Sequence, residues 1–159
     1  MSSKPNRAST EKTRQKNQTV DLTTARRMLP LVQRIVSDII HDRQELNRFQ
    51  FEQEGLDRNK RELSWPERER RYTLQGEVVR LEGRIQEEQQ ELAQLGAILV
   101  NVTTGQIGFP TLVNGRPAFF SWQMGEDNVA YWHFDGEAVR RPIPPNWNEG
   151  APIRLVSHR

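Results

Sequence analysis

The chain has 159 residues, 23 Lys and Arg against 21 Asp and Glu for a formal charge of +2, and no cysteine. A disulfide scaffold, a thiol nucleophile and a thiolate zinc site are thereby excluded. No apolar run approaches the ~20 residues of a membrane span, and none follows the N-terminal charges as in a secretory signal, so a cytoplasmic protein without membrane association is expected.

Residues 1–19 hold five basic residues and only Glu11 as an acid, in a background of Ser, Thr, Asn, Gln and Pro. With no apolar face to bury, this segment is expected to be a disordered basic tail. Its charge offers at most a weak, sequence-blind attraction to nucleic acid.

Residues 20–96 read as an antiparallel helical hairpin. Asp21 is placed to cap the first helix, and Leu22, Ala25, Met28, Leu29, Val32, Ile35, Val36, Ile39 and Ile40 recur at steps that share one face. Pro30 predicts a kink, and Gly55 a stop near Glu54. The second helix opens at Ser64-Trp65-Pro66-Glu67, a capping-box spacing with proline in the tolerated first turn. Leu74, Val78, Leu81, Ile85, Leu92 and Leu95 then form a heptad seam, in which Glu88 takes the place of an apolar residue, and Gly96 ends it. The short linker makes the helices antiparallel neighbours. A single seam buries little, so the hairpin is expected to pack on the C-terminal segment and to form a homodimer through its helices. The Glu, Arg and Gln on its outer faces read as solvated surface.

Residues 97–143 read as a small antiparallel sheet, and eight of the twelve aromatic residues lie between Phe109 and Trp147. Ile98–Val102 is a strand that turns through Thr103-Thr104-Gly105. Asn114-Gly115 is the strongest hairpin signal in the chain, because both central residues of the favoured turn need positive φ. Another strand follows at Val129–Phe134. The prolines from Pro142 onward predict an irregular tail over 144–159. The fold class expected is α+β, a coiled-coil-like hairpin with this sheet packed on it.

The densest chemistry runs from Trp122 to Arg141. Strand alternation sets Phe120 and Trp122 on one face of their strand and Ser121 and Gln123 on the other, with Trp132 and Phe134 opposing Tyr131 and His133 on the next. Loop parity decides which faces merge. One parity buries His133 beside Phe120 and Trp122; the other joins the aromatic faces and gathers Ser121, Gln123, Tyr131 and His133 near Glu126. The second buries more apolar surface and is the pairing expected. Taken singly, His133 reads most simply as a hydrogen-bonded sheet histidine, Glu126 as a turn residue, and Arg140-Arg141 as a surface pair or an anion clamp. One histidine with loosely spaced acids is a weak metal pattern, and neither a nucleophilic triad nor a phosphate-binding glycine loop is present. No metal and no cofactor are therefore assigned.

Asp21-Leu-Thr-Thr-Ala25, Leu29-Pro30-Leu-Val, Gly105-x-x-Gly-Phe109-Pro110, Trp122-x-x-Gly125-Glu126, Tyr131-Trp132-His133 and Arg140-Arg141-Pro142-Ile143 together resemble a bacterial family, domain of unknown function 2203, over about residues 20–143. The resemblance brings no established activity. It implies that Glu126, Trp132, His133 and Arg141 belong to a shared signature. The chain departs from that pattern at Gly108, where an acid is usual, and at Ser121, where a cysteine is frequent.

The sequence thus points to a binding or interaction module more than to an enzyme. Its candidate ligand-binding residues are Glu126, Tyr131, Trp132, His133, Arg140 and Arg141, facing a small anion or an acidic partner segment. The alternative is a small metal-dependent or acid/base enzyme using His133 and Glu126.

Overall fold

The computed structural model describes residues 19–148. The expected basic tail, Thr19 apart, and residues 149–159 lie outside the described residues.

Helix α1 spans Leu22–Arg58 and α2 spans Trp65–Gln94. Asp21 caps α1: its carboxylate accepts the Thr24 N–H at 2.7 Å, and this hydrogen bond is the main reason its pKa lies below the usual value. The helix continues through Pro30, where a kink and not a break is expected. One expectation for α1 is corrected: it does not stop near Glu54 but runs through Gly55 to Arg58. Gly55 meets nothing within 4 Å, and the turn beyond it is pinned to α2 by an Asp57–Arg71 ion pair at 2.6 Å. Tertiary attachment outweighs the ~1 kcal/mol helix penalty of one glycine. Helix α2 begins as expected, with Ser64 Oγ accepting the Glu67 N–H, and it ends at Gly96, whose φ is +79°.

The helices are antiparallel. Cross-links join Asp57 to Arg71 and Glu52 to Arg70 near the turn, and Asp42 to Arg84 further along, so positions earlier on α1 meet positions later on α2. Leu74, Val78, Leu81 and Ile85 are buried along α2.

Five antiparallel strands follow in simple meander order: β1 (Ile98–Asn101), β2 (Gln106–Val113), β3 (Arg116–Trp122), β4 (Tyr131–Phe134) and β5 (Arg141–Pro142). The β2–β3 turn carries Asn114 at φ +53° and Gly115 at φ +73°, the positive pair that Asn-Gly supplies. Phe120 pairs with Trp132 and Ser121 with Tyr131, so the aromatic faces merge. That inner face (Ile107, Phe109, Phe120, Trp122, Trp132 and Phe134) packs with the first half of α1 (Leu22, Ala25, Leu29, Val32, Val36 and Ile39) in one core. The fold is α+β, and the sheet sits at one end of the hairpin.

The expectation of an irregular tail from residue 144 is also corrected. Pro145–Asn148 forms a 3₁₀ turn that carries Trp147 into the core, its ring 5.0 Å from that of Trp132. Proline is tolerated at the start of such a turn, where its missing N–H is not needed.

Candidate functional site

The turn between β3 and β4 is built by its own sequence. Trp122 Nε1–H donates to the Glu126 carbonyl at 2.8 Å, and the Glu126 carboxylate accepts the Gln123 N–H at 2.8 Å. Gly125 lies between them at φ +95°, a conformation that glycine enters without strain. The Trp-x-x-Gly-Glu series is thus a self-closed turn that presents the Glu126 carboxylate towards the outer face of the sheet.

Arg140 meets it there. Its Nη1–H and Nη2–H donate to the two Glu126 oxygens at 3.1 and 2.5 Å, and its Nε–H donates to Ser121 Oγ at 2.8 Å. The guanidinium lies 4.4 Å from the Tyr131 ring centre. Gln106 Nε2–H also donates to Ser121 Oγ, at 3.3 Å. The side chains of Arg140 and Glu126 are only 15 % and 19 % exposed. A two-point pair, a stacked ring and a hydroxyl together use most of the fork's donors. Arg140 is therefore a pin that joins the β3–β4 turn, β3 and the segment entering β5.

His133 lies on the same face, but its partners are different. It pairs with Phe119, the ring centres lie 5.5 Å apart, and the residue is 4 % exposed. Its Nδ1 is 2.8 Å from the Phe134 carbonyl, which can only accept, so Nδ1 carries the proton there. Nε2 is buried without a hydrogen-bond partner. Phe119 in turn leans over Gly108, where an added Cβ would lie 2.9 Å from Phe119 Cδ1. The absence of a side chain at Gly108 makes room for this ring.

Arg141 is on the opposite face, paired with Trp132. Its guanidinium lies 5.2 Å from the Trp132 ring centre and 5.6 Å from that of Phe134, with Glu137 oxygens at 3.3 and 3.4 Å. Arg116, one residue past the Asn-Gly turn, covers Phe134 from 4.2 Å. It makes no ion pair among the described residues.

The six candidate residues therefore divide. Glu126, Tyr131 and Arg140 come together with Ser121; Trp132 and Arg141 belong to the other face with Phe134, Arg116 and Glu137; His133 stands beside Phe119. No hydrogen bond joins His133 to Glu126. Gln106 and Arg116 are the additions that the sequence reading lacked. Their only signal was strand parity counted outward from the Asn-Gly turn.

A second charged group lies in the hairpin seam. Asp42 is 2 % exposed and lies 3.3 Å from Arg84. Glu88 faces it, and its carboxyl is pushed up to about 7, first by burial, then by the hydrogen bond and charge of Asp42, against the pull of Arg84. A protonated Glu88 can donate to the Asp42 carboxylate, a bond that two ionised carboxylates cannot make. Among the described residues no group of three His, Cys, Asp or Glu side chains is arranged to hold a metal ion. Among the described residues no helix is long and apolar enough to cross a membrane. A cleft of about 440 Å³ between the end of α2 and β1 is lined by Gln90, Ala93, Ile98 and Pro110 among others, none of them a candidate residue.

The family model described as "Uncharacterized conserved protein (DUF2203)" matches residues 18–143, the whole of the hairpin and sheet. No curated protein and no solved structure matches the chain.

Proposed function

The chain belongs to this family of uncharacterised conserved proteins, and from that premise we propose that it is a binding module, a bacterial cytoplasmic protein that pairs through its helices. The rim of its sheet would hold an acidic segment of a partner. The observation that carries the reading is the sharing of Phe134 by two arginines, Arg116 at 4.2 Å and Arg141 at 5.6 Å. Their guanidinium carbons can be no further apart than the sum of those distances. A guanidinium stacked on a ring keeps its N–H edges free for a carboxylate or phosphate, which it grips through two parallel bonds. One carboxylate, Glu137, serves the pair: it meets Arg141 at stretched distances, also accepts the Phe134 N–H, and makes no ion pair with Arg116. One cationic fork is therefore left over, on a half-apolar rim.

Arg140 supports the module in another way, by fixing the turn and the segment that leads into Arg141. The acid/base alternative needs His133 and Glu126 to act together, and each is committed elsewhere, to the Phe134 carbonyl and to Arg140.

Calorimetric titration with a hexaglutamate peptide at low salt tests the reading. Wild type is expected to bind, and Arg116→Gln/Arg141→Gln to lose at least roughly tenfold in affinity, in keeping with the loss of charge-assisted bonds. Equal binding by the double variant, or no binding by wild type, overturns it.

A further inference from the structure

The face of α2 turned away from α1 carries three large side chains at seven-residue spacing. Trp65, Tyr72 and Val79 are 74 %, 79 % and 68 % exposed. Such spacing drifts by only ~20° per repeat, so the three form one stripe, about half a turn round the helix from the buried Leu74, Val78, Leu81 and Ile85. Gly76 and Gly83 follow Tyr72 and Val79 by four residues, and a Cβ added at either would meet nothing within 4 Å. Glycine inside a helix costs about 0.5–1 kcal/mol relative to alanine. Neither glycine has positive φ or a close neighbour to account for it. What they supply is a pair of holes beside large side chains that have no partner.

We infer that α2 pairs antiparallel with α2 of a second copy through this stripe, which deepens the pairing through the helices proposed above. A two-fold axis at the level of Leu74 sets Tyr72 of each copy against Gly76 of the other, and Trp65 against Gly83. Large meets small at each of these layers, as knobs meet holes. The same register brings Arg68 of each copy beside Glu82 of the other. Glu82 has no ion pair of its own among the described residues, and Arg68 is held only through Nε on the Leu63 carbonyl.

Other arrangements fit worse. A parallel pair stacks glycine on glycine and tyrosine on tyrosine, and sets Glu82 against Glu87. Sliding the antiparallel pair to set Gly83 against Val79 juxtaposes Arg80 with Arg80 and Glu82 with Glu82. The register between these two leaves Trp65 against Gln90 and gives Arg68 no acid. The favoured overlap covers residues 65–83, on the half of the hairpin remote from the sheet, whose core takes in Leu92 and Ala97.

Sedimentation equilibrium of the full chain, combined with cysteine cross-linking, is the test; the chain has no native cysteine, so each introduced thiol is unique. Wild type is expected to be a dimer. Tyr72→Glu should weaken it by ~100-fold, the size of an interface hot spot, with an unchanged far-UV spectrum. A short bis-maleimide should couple copies through Gln75→Cys, near the axis, and not through Gln86→Cys. A monomeric wild type overturns both the pairing and this face. A dimer indifferent to Tyr72→Glu overturns the face alone, and coupling through Gln86→Cys overturns the antiparallel register.

Discussion

Arg140 and Glu126 join through two hydrogen bonds of 3.1 and 2.5 Å across fourteen residues of chain, with both side chains mostly buried. Removing one partner leaves the other charge buried and unpaired, which is the costly half of such an interaction. Arg140→Leu or Glu126→Gln should each cost about 2–3 kcal/mol, discounted from the full buried-pair penalty because both groups retain some water. The double variant should cost less than the sum by about 1 kcal/mol or more. Urea unfolding of the four proteins measures this coupling; strict additivity would mean that the pair is not a unit.

Glu88 makes stability depend on pH in an unusual direction. Its carboxyl titrates near 7 in the folded chain, against 4.5 for the free group. Between those values the folded state keeps a proton that the unfolded state has lost, so stability falls as pH rises through this window and is lower above it. Glu88→Gln cannot ionise, and its amide can donate to the Asp42 carboxylate as a protonated Glu88 can. It should flatten the dependence and stabilise the protein at pH 8 by on the order of 1 kcal/mol, discounted from the full shift because Glu88 keeps much of its water. Thermal melts of both proteins from pH 5 to pH 8 check it, and parallel curves would contradict it.

Gly108 lies under the Phe119 ring, where a Cβ would come within 2.9 Å of Cδ1 and 3.1 Å of Cβ. Gly108→Ala should therefore cost about 1–3 kcal/mol by overpacking. Combining it with Phe119→Ala should recover part of that clash, relative to Phe119→Ala alone. Chemical denaturation gives the numbers, and a neutral Gly108→Ala would show that the ring shifts freely.

Trp147 closes the core against Trp132, although prolines surround it. Trp147→Ala should destabilise by about 3–5 kcal/mol, the usual range for deleting a buried large aromatic. Near-UV circular dichroism should lose intensity beyond one indole, since Trp132 loses its neighbour. A loss below ~1 kcal/mol would place Trp147 outside the cooperative core.

The helices and the sheet register were legible because each follows a single period. Steps of three and four mark α1 and α2, and the positive-φ Asn114-Gly115 pair fixes β2 against β3. The merged face of Phe120 and Trp132 followed from burying the most apolar surface. Two kinds of information were not local. Gly55 carries a stop signal that the ion pairs to α2 override, and Trp147 sits among prolines whose effect on a short turn differs from their effect on a long helix. The candidate site suffered in the same way. Glu126, Tyr131, Trp132, His133, Arg140 and Arg141 are close in the chain, yet the two-residue period of strands sends Arg140 and Arg141 to opposite faces. A two-residue strand such as β5 has too little pattern to announce that split. Glu88 stood out as an acid in an apolar seam; its partner Asp42 could be found only once the hairpin set the two helices in register.

The division of labour between the arginines is the central claim, and the Nε–Hε resonances of Arg116, Arg140 and Arg141 report on it one by one. During titration with hexaglutamate, the signals of Arg116 and Arg141 should move and saturate together while that of Arg140, locked on Ser121 and Glu126, stays in place. Movement of Arg140 with Arg116 and Arg141 unaffected would contradict the account.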